Sequence, residues 1–77
     1  MKEKWKRLNY VSNLILTNVP IEIISEYRSL LPAKRRLINL EEKINLYYFY
    51  IRMRQYVSKR NRYLLGEFLS TIDELSA

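Results

Sequence analysis

The clearest helical pattern of this chain lies in residues 39–62, which read NLEEKINLYYFYIRMRQYVSKRNR. It opens with an asparagine three residues before Glu42, which is the spacing of a helix capping box. Glu41 and Glu42 also favour a helix start, because the positive end of the helix dipole lies there. No glycine or proline follows until Gly66. The pattern therefore predicts one long central helix over residues 40–60, about 30 Å in length.

The apolar side chains of this helix form two stripes that lie well over a quarter-turn apart around its axis. The stripe in the first half consists of Leu40, Ile44, Tyr47 and Ile51. The stripe in the second half consists of Leu46, Tyr50, Met53, Val57 and Leu64. Where the two cross, residues 47–51 cover every side of the helix with aromatic or aliphatic groups. A helix of this kind is expected to contact two different partners.

We therefore expect one face of the helix to pack within its own domain and another to contact a second molecule. The simplest arrangement is a two-fold dimer that crosses near Tyr48 and Phe49. The alternative is that the tyrosine rings lie at the rim of the core, with their hydroxyl groups in water. The predicted interface residues are Tyr47, Tyr48, Phe49, Tyr50 and Ile51.

The segment before the central helix predicts two shorter helices. Residues 3–17 place apolar side chains at steps of three and four, which is typical of an amphipathic helix. Asn18 is a favourable N-cap and Pro20 fits a first helical turn, so we expect a second helix to begin there. Pro32 should end it, with residues 32–38 as a short turn or connector. A helix that continues from Pro32 is the alternative. The predicted buried face of the first helix is Trp5, Leu8, Val11 or Ser12, and Ile15.

The last part of the chain predicts one more amphipathic helix, because its apolar residues share a face. The sequence therefore predicts an all-α fold, a small three- or four-helix assembly with one long central helix, in a single domain over residues 1–77. A core of this size is thin, and oligomerisation is a common way to stabilise it, so we expect a dimer. The residues of the last apolar face are Leu64 or Leu65, Phe68, Ile72 and Leu75.

The composition restricts the possible functions. The chain has no cysteine and no histidine, which excludes disulfides, the usual structural zinc sites and histidine acid–base catalysis. It has one glycine and hence no glycine-rich phosphate loop, and no acidic pair is arranged for catalysis. We expect no enzymatic activity, no cofactor, no metal and no small-molecule substrate. No apolar run is long enough to span a membrane, and we expect a cytoplasmic protein.

The net charge of +6 favours a negatively charged partner, and the positive charge is concentrated in one part of the chain. Residues 52–62 hold five cations and no acid. On a continuous helix, Arg52 would share one side with Tyr56, Lys59 and Tyr63, which follow it at steps of four, three and four. The predicted nucleic-acid-binding residues are Arg52, Tyr56, Lys59, Arg60, Arg62 and Tyr63, extended by Lys34, Arg35 and Arg36.

Three functions fit these observations. The first is a basic helical protein that binds nucleic acid, DNA rather than RNA, mainly through phosphate contacts. The second is an accessory subunit or inhibitor that docks through residues 47–51 on a larger protein, such as a DNA- or RNA-processing enzyme. The third is a protein that lies on an anionic membrane through Trp5 and the cations around it. A basic face that binds an acidic protein, or that is only solvated, is the alternative interpretation of the cations.

Overall fold

The computed structural model describes residues 1–77 and contains four α-helices. No strand is present, so the all-α prediction is confirmed, and the assembly has four helices. None of them has the length and hydrophobicity that a membrane-spanning helix requires. The helices are α1 (Lys2–Ile15), α2 (Ile21–Leu30), α3 (Leu40–Met53) and α4 (Leu64–Leu75), and two short 3-10 turns (Arg54–Tyr56 and Lys59–Asn61) connect α3 to α4.

The second helix begins later than predicted. Asn18 has a φ of 70°, which places it in the left-handed region that asparagine tolerates better than most residues. It belongs to the turn after α1 and does not cap α2, so the predicted helix start at Asn18 is wrong. α2 begins at Ile21, directly after Pro20. Its predicted end is confirmed, because Leu31 has an extended ψ of 144° in front of Pro32.

The third helix begins where the capping box predicts. The side chain of Asn39 accepts a hydrogen bond of 2.9 Å from the backbone N–H of Glu42. In return, the Glu42 carboxylate accepts one of 3.0 Å from the backbone N–H of Asn39. Residues 32–38 are therefore a connector and not a helix. Ile38 fixes this connector to the end of α4, because its backbone N–H donates to the carbonyl of Leu75 at 2.8 Å.

The long central helix over residues 40–60 is not formed, and this prediction is wrong. α3 ends at Met53, and the backbone is extended at Val57 and Ser58. The segment contains no helix breaker, so the cause is tertiary packing: Val57 is 3% exposed, and the turn allows α4 to return along α1. A continuous rod would have carried the apolar residues of α4 past the core. Burial of that face outweighs the local preference for helix.

The core lies between the four helices and contains the faces predicted for α1 and α4. At its centre, the ring of Tyr27 stacks on Phe49 at 5.4 Å between centroids and contacts Phe68 at 5.9 Å. Burial of one continuous apolar cluster is what stabilises a fold of this size. The buried apolar residues are Trp5, Leu8, Val11, Ile15, Leu16, Val19, Tyr27, Ile38, Leu46, Phe49, Met53, Val57, Leu64, Phe68, Ile72 and Leu75.

The two predicted stripes of the third helix lie in different environments. The second stripe belongs to the core, with Tyr50 half-buried at its edge. The first stripe faces outwards, except that Tyr47 is half-buried against α4. A row of four large apolar side chains is left on the surface. We call this row the α3 ridge, and it consists of Leu40 (73% exposed), Ile44 (45%), Tyr48 (62%) and Ile51 (55%).

Candidate nucleic-acid interface

The basic and aromatic residues predicted to share one helix face do not lie on one helix. Arg52 is in α3, Tyr56 ends the first 3-10 turn, Lys59 begins the second, and Tyr63 precedes α4. The spacing that placed them together assumed a continuous helix, and the chain turns at Val57 instead. The predicted helical face is therefore wrong, and its residues lie in different parts of the structure.

Arg52 is bound within the domain. Its guanidinium group forms a salt bridge with the carboxylate of Glu26 in α2 and donates a hydrogen bond of 3.3 Å to the carbonyl of Tyr48. The salt bridge connects α2 to α3 at the surface. Glu26 offsets the positive charge of this group, so it attracts a phosphate less than an unpaired arginine does. Arg52 is therefore a poor member of the interface.

A smaller group of cations lies at the end of the molecule where the chain turns between α3 and α4. Arg54, Lys59, Arg60 and Arg62 are exposed, and none of them forms a salt bridge. The chain contains no aspartate or glutamate from residue 43 to residue 66. We call these four residues the basic end. Their positive charge is not neutralised by neighbouring side chains, which is the condition for binding a polyanion.

Arg54 is the member of the basic end that the sequence did not predict. On a continuous helix, Arg54 and Arg62 would be eight residues and about 12 Å apart along the axis. The turn at Val57 brings them to one surface cleft of about 420 Å³, which is also lined by Tyr50, Gln55 and Leu65. Two arginines at one cleft can direct their forked donor groups towards the same anion. No residue between them signals the turn, because the segment contains neither glycine nor proline.

A second cleft, of about 640 Å³, lies between the turn segment and the end of α1. Asn61 fixes this part of the chain, because its side-chain amide donates a hydrogen bond of 3.1 Å to the carbonyl of Leu14. Arg60 contributes a cation to the lining, and Tyr63, at 75% exposed, contributes an aromatic ring. Tyr56, at 43% exposed, lies in the first 3-10 turn of the same segment. Cations next to exposed rings suit an unpaired nucleotide, whose phosphate and base need different contacts.

The predicted extension of this interface lies at the opposite end of α3. Lys34, Arg35 and Arg36 precede the first turn of a 14-residue helix, and the basic end follows its last turn. The two groups are therefore about 20 Å apart along the helix axis. They do not form one continuous patch on a single chain, and the predicted joint footprint is wrong in this respect.

Two of these three cations are also engaged. Arg36 forms two hydrogen bonds of 2.9 Å with the carboxylate of Glu42. The pKa of the Glu42 carboxyl is lowered, chiefly by the hydrogen bonds from Arg36 and secondly by the hydrogen bond from the backbone N–H of Asn39. Arg35 lies over the ring of Trp5, with its guanidinium carbon 5.6 Å from the ring centroid. Lys34 alone is exposed without such a partner.

The predicted interface over residues 47–51 divides into a buried and an exposed part. Phe49 is 0% exposed and belongs to the core, so it cannot contact a partner in this fold. Tyr50 is half-buried, and its ring stacks on Phe68 at 6.4 Å. The Tyr47 hydroxyl donates a hydrogen bond to the Asp73 carboxylate, which raises the pKa of Tyr47 to about 12, with burial as the second cause. Only Tyr48 and Ile51, which are part of the α3 ridge, are available to another molecule.

The structure brings no three histidine, cysteine, aspartate or glutamate side chains close enough together to hold a metal ion. Its strongest functional features are the basic end and the α3 ridge, which lie on different parts of the surface. Comparison of the chain with known protein families, characterised proteins and solved structures gives no match.

Proposed function

We propose that this is a non-enzymatic protein that binds nucleic acid mainly through phosphate contacts at the basic end. The observation that carries the proposal is the contrast between the unpaired cations of this end and four cations elsewhere that pair with carboxylates. Arg7, Arg36, Lys43 and Arg52 each form a salt bridge with a carboxylate, and all four lie outside the basic end. None of the four cations of the basic end forms a salt bridge with a carboxylate. Of the 14 lysines and arginines, ten form no salt bridge, and these four lie together beside the clefts in a segment without acidic residues.

The chemistry of this end fits a phosphate backbone. Each lysine or arginine that neutralises a phosphate releases a condensed counterion, which is the main source of affinity in contacts that do not depend on sequence. Arginine adds a planar set of donors that matches two phosphate oxygens. Tyr56 and Tyr63 supply exposed rings that could stack on bases or donate hydrogen bonds to phosphates. The cations of the basic end lie on the turns between α3 and α4 and not along one helix that could enter a major groove, so we expect weak sequence preference.

Salt-dependent titration tests the proposal directly. Fluorescence anisotropy with duplex DNA, single-stranded DNA and RNA would be measured between about 50 and 200 mM salt. Four phosphate contacts predict that log affinity falls with log salt at a slope of about −3.6 on duplex DNA and about −2.8 on single strands. We expect DNA to bind more tightly than RNA. No binding, or binding that does not change with salt, would refute the proposal.

Two variants with the same loss of charge locate the interface. Arg54→Gln/Arg62→Gln removes two unpaired cations, and we expect the duplex slope to become shallower by about 1.8. Arg36→Gln/Arg52→Gln removes two cations that already pair with carboxylates, and it should change the slope much less. Equal losses in the two variants would show that net charge, and not the basic end, is responsible. Far-UV circular dichroism would confirm that both variants are folded.

A second candidate function, docking as an accessory subunit or inhibitor on a nucleic-acid-processing protein, is supported by the exposed apolar row on α3. The contact surface would be the α3 ridge rather than residues 47–51, because Phe49 is buried. Tyr48→Ser/Ile51→Ser should then abolish binding to such a partner without loss of helical signal, whereas retained binding would exclude this surface. The homodimer that the sequence predicts is likewise a proposal, and the same ridge supports it.

A further inference from the structure

The α3 ridge is an unusual surface for a chain this small. Its four side chains follow each other at steps of four, four and three, which keeps them within 80° of the helix circumference by the 100° rule. Together they extend about 17 Å along the helix. Isolated apolar side chains on a surface are ordinary, but a contiguous row of large ones marks an interaction site.

We infer that the α3 ridge packs against the α3 ridge of a second copy of this chain, with the two helices antiparallel. The row is self-complementary under a two-fold axis placed midway between Ile44 and Tyr48. In that arrangement, Leu40 of one copy lies opposite Ile51 of the other, and Ile44 lies opposite Tyr48. Every large side chain of the ridge then meets another apolar side chain. The inference is independent of nucleic-acid binding, because no residue of the basic end is on the ridge.

The charges beside the ridge favour the antiparallel orientation. Glu41 is exposed and forms no salt bridge, and it lies on the same flank of α3 as Arg52, 20° away around the axis. In an antiparallel two-fold pair, the flank of α3 that carries Glu41 and Arg52 faces the same flank of the other copy. The two flanks run in opposite directions. Glu41 of one copy therefore lies within two residues, about 3 Å along the axis, of Arg52 of the other copy, and this happens twice. Arg52 can bind Glu41 of the second copy beside its own Glu26.

A parallel pair would lack this match. Glu41 and Arg52 are 11 residues apart, so in a parallel pair they stay about 17 Å apart along the axis. The other flank carries one unpaired charge, that of Arg54 directly after the end of α3. Lys43 forms a salt bridge of 3.1 Å with Asp73, and Tyr47 donates to the same carboxylate. A parallel pair would bring opposite flanks together and set Arg52 of one copy beside the like charge of Arg54 of the other, which the antiparallel pair avoids.

The oligomeric state of the full chain tests the interface. Sedimentation velocity over a range of concentrations should show a reversible dimer. Ile44→Glu and Tyr48→Glu place a charge in the ridge, and each should raise the dimer dissociation constant at least about tenfold. Tyr10→Glu (67% exposed, in α1) and Ile21→Glu (64%, in α2) are matched controls away from the ridge and should leave the constant unchanged. A chain that is monomeric at every concentration, or controls that weaken the dimer equally, would overturn the inference.

Disulfide cross-linking tests the orientation, and it is simplified by the absence of native cysteine. A disulfide requires Cα atoms about 4.4–6.8 Å apart. In the antiparallel pair, Leu40→Cys mixed with Ile51→Cys should cross-link, whereas either variant alone should not, because identical positions near the ridge ends are about 17 Å apart. Cross-linking of each variant with itself would show a parallel pair. No cross-link in the mixture would also contradict the proposed register.

Discussion

The assignment of Phe49 to the core and of its neighbour Tyr48 to the surface can be tested by two alanine substitutions. Phe49 is 0% exposed and stacks on Tyr27 at the centre of the bundle. Removing a buried phenylalanine ring costs about 3–5 kcal/mol, because the transfer free energy is lost and a cavity remains. A chain of 77 residues has a total free energy of unfolding of about 4–12 kcal/mol. Phe49→Ala should therefore leave the protein marginally folded or unfolded, whereas Tyr48→Ala should change stability by no more than about 0.5 kcal/mol.

Urea unfolding followed by circular dichroism would measure both effects at a protein concentration low enough to avoid association. Phe49→Leu fills most of the same space and should cost less than about 1.5 kcal/mol, so it provides a folded reference when the alanine variant does not fold. The unfolding midpoint should fall in the order wild type, Phe49→Leu, Phe49→Ala. If Tyr48→Ala lost as much stability as Phe49→Ala, the two faces of α3 would have been assigned incorrectly. The division of residues 47–51 into core and ridge would then fail.

Three further substitutions test other parts of the structure. Asn39→Ala removes the cap of α3 and should lower the free energy of unfolding, measured in urea, by about 1 kcal/mol. Gly66→Ala should raise it by about 0.5–1 kcal/mol, because Gly66 lies in α4 and no atom lies within 4 Å of the added methyl group. Burial raises the pKa of Tyr27 from 10.0 to about 12. Stability should therefore be constant below pH 10 and fall by up to about 2.7 kcal/mol as the pH rises to 12. In unfolding measured over this pH range, Tyr27→Phe should remove the loss of stability that Tyr27 causes. A smaller loss should remain, because the pKa of Tyr47 is also raised.

The features that could be predicted from the sequence depend on contacts within a few residues. The hydrogen bonds of Asn39 and Glu42 span three positions, so their spacing is visible in the chain, and the helix begins at the expected residue. Pro32 restricts the residue directly before it and ends α2 as expected. The apolar spacing of α1 and α4 gives their buried faces, because a helix that is amphipathic throughout its length has one way to face a core.

The features that could not be predicted depend on packing between distant parts of the chain. Val57 interrupts a segment without any breaker, because the extended backbone there lets α4 pack against α1. The error in the length of the third helix then propagates to the site. As a result, the predicted interface includes Arg52 together with Lys59, omits Arg54, and places Lys34 beside the basic end. The sequence therefore predicts which charged residues share a helix face only where it also predicts the end of that helix correctly.

The two proposed surfaces respond differently to salt, and this separates them in one set of measurements. In the antiparallel dimer, the basic end of each copy lies at the same end of the helix pair as Lys34 of the other copy, because α3 reverses direction. The resulting repulsion between like charges is screened by salt, whereas the two exposed pairs of Glu41 and Arg52 contribute only modestly. Dimerisation should therefore change little or strengthen as salt is added. Nucleic-acid affinity should fall steeply over the same range, because counterion release becomes less favourable. If dimerisation weakened with salt as steeply as nucleic-acid affinity, charge attraction and not the apolar α3 ridge would hold the dimer, and the inferred interface would be wrong.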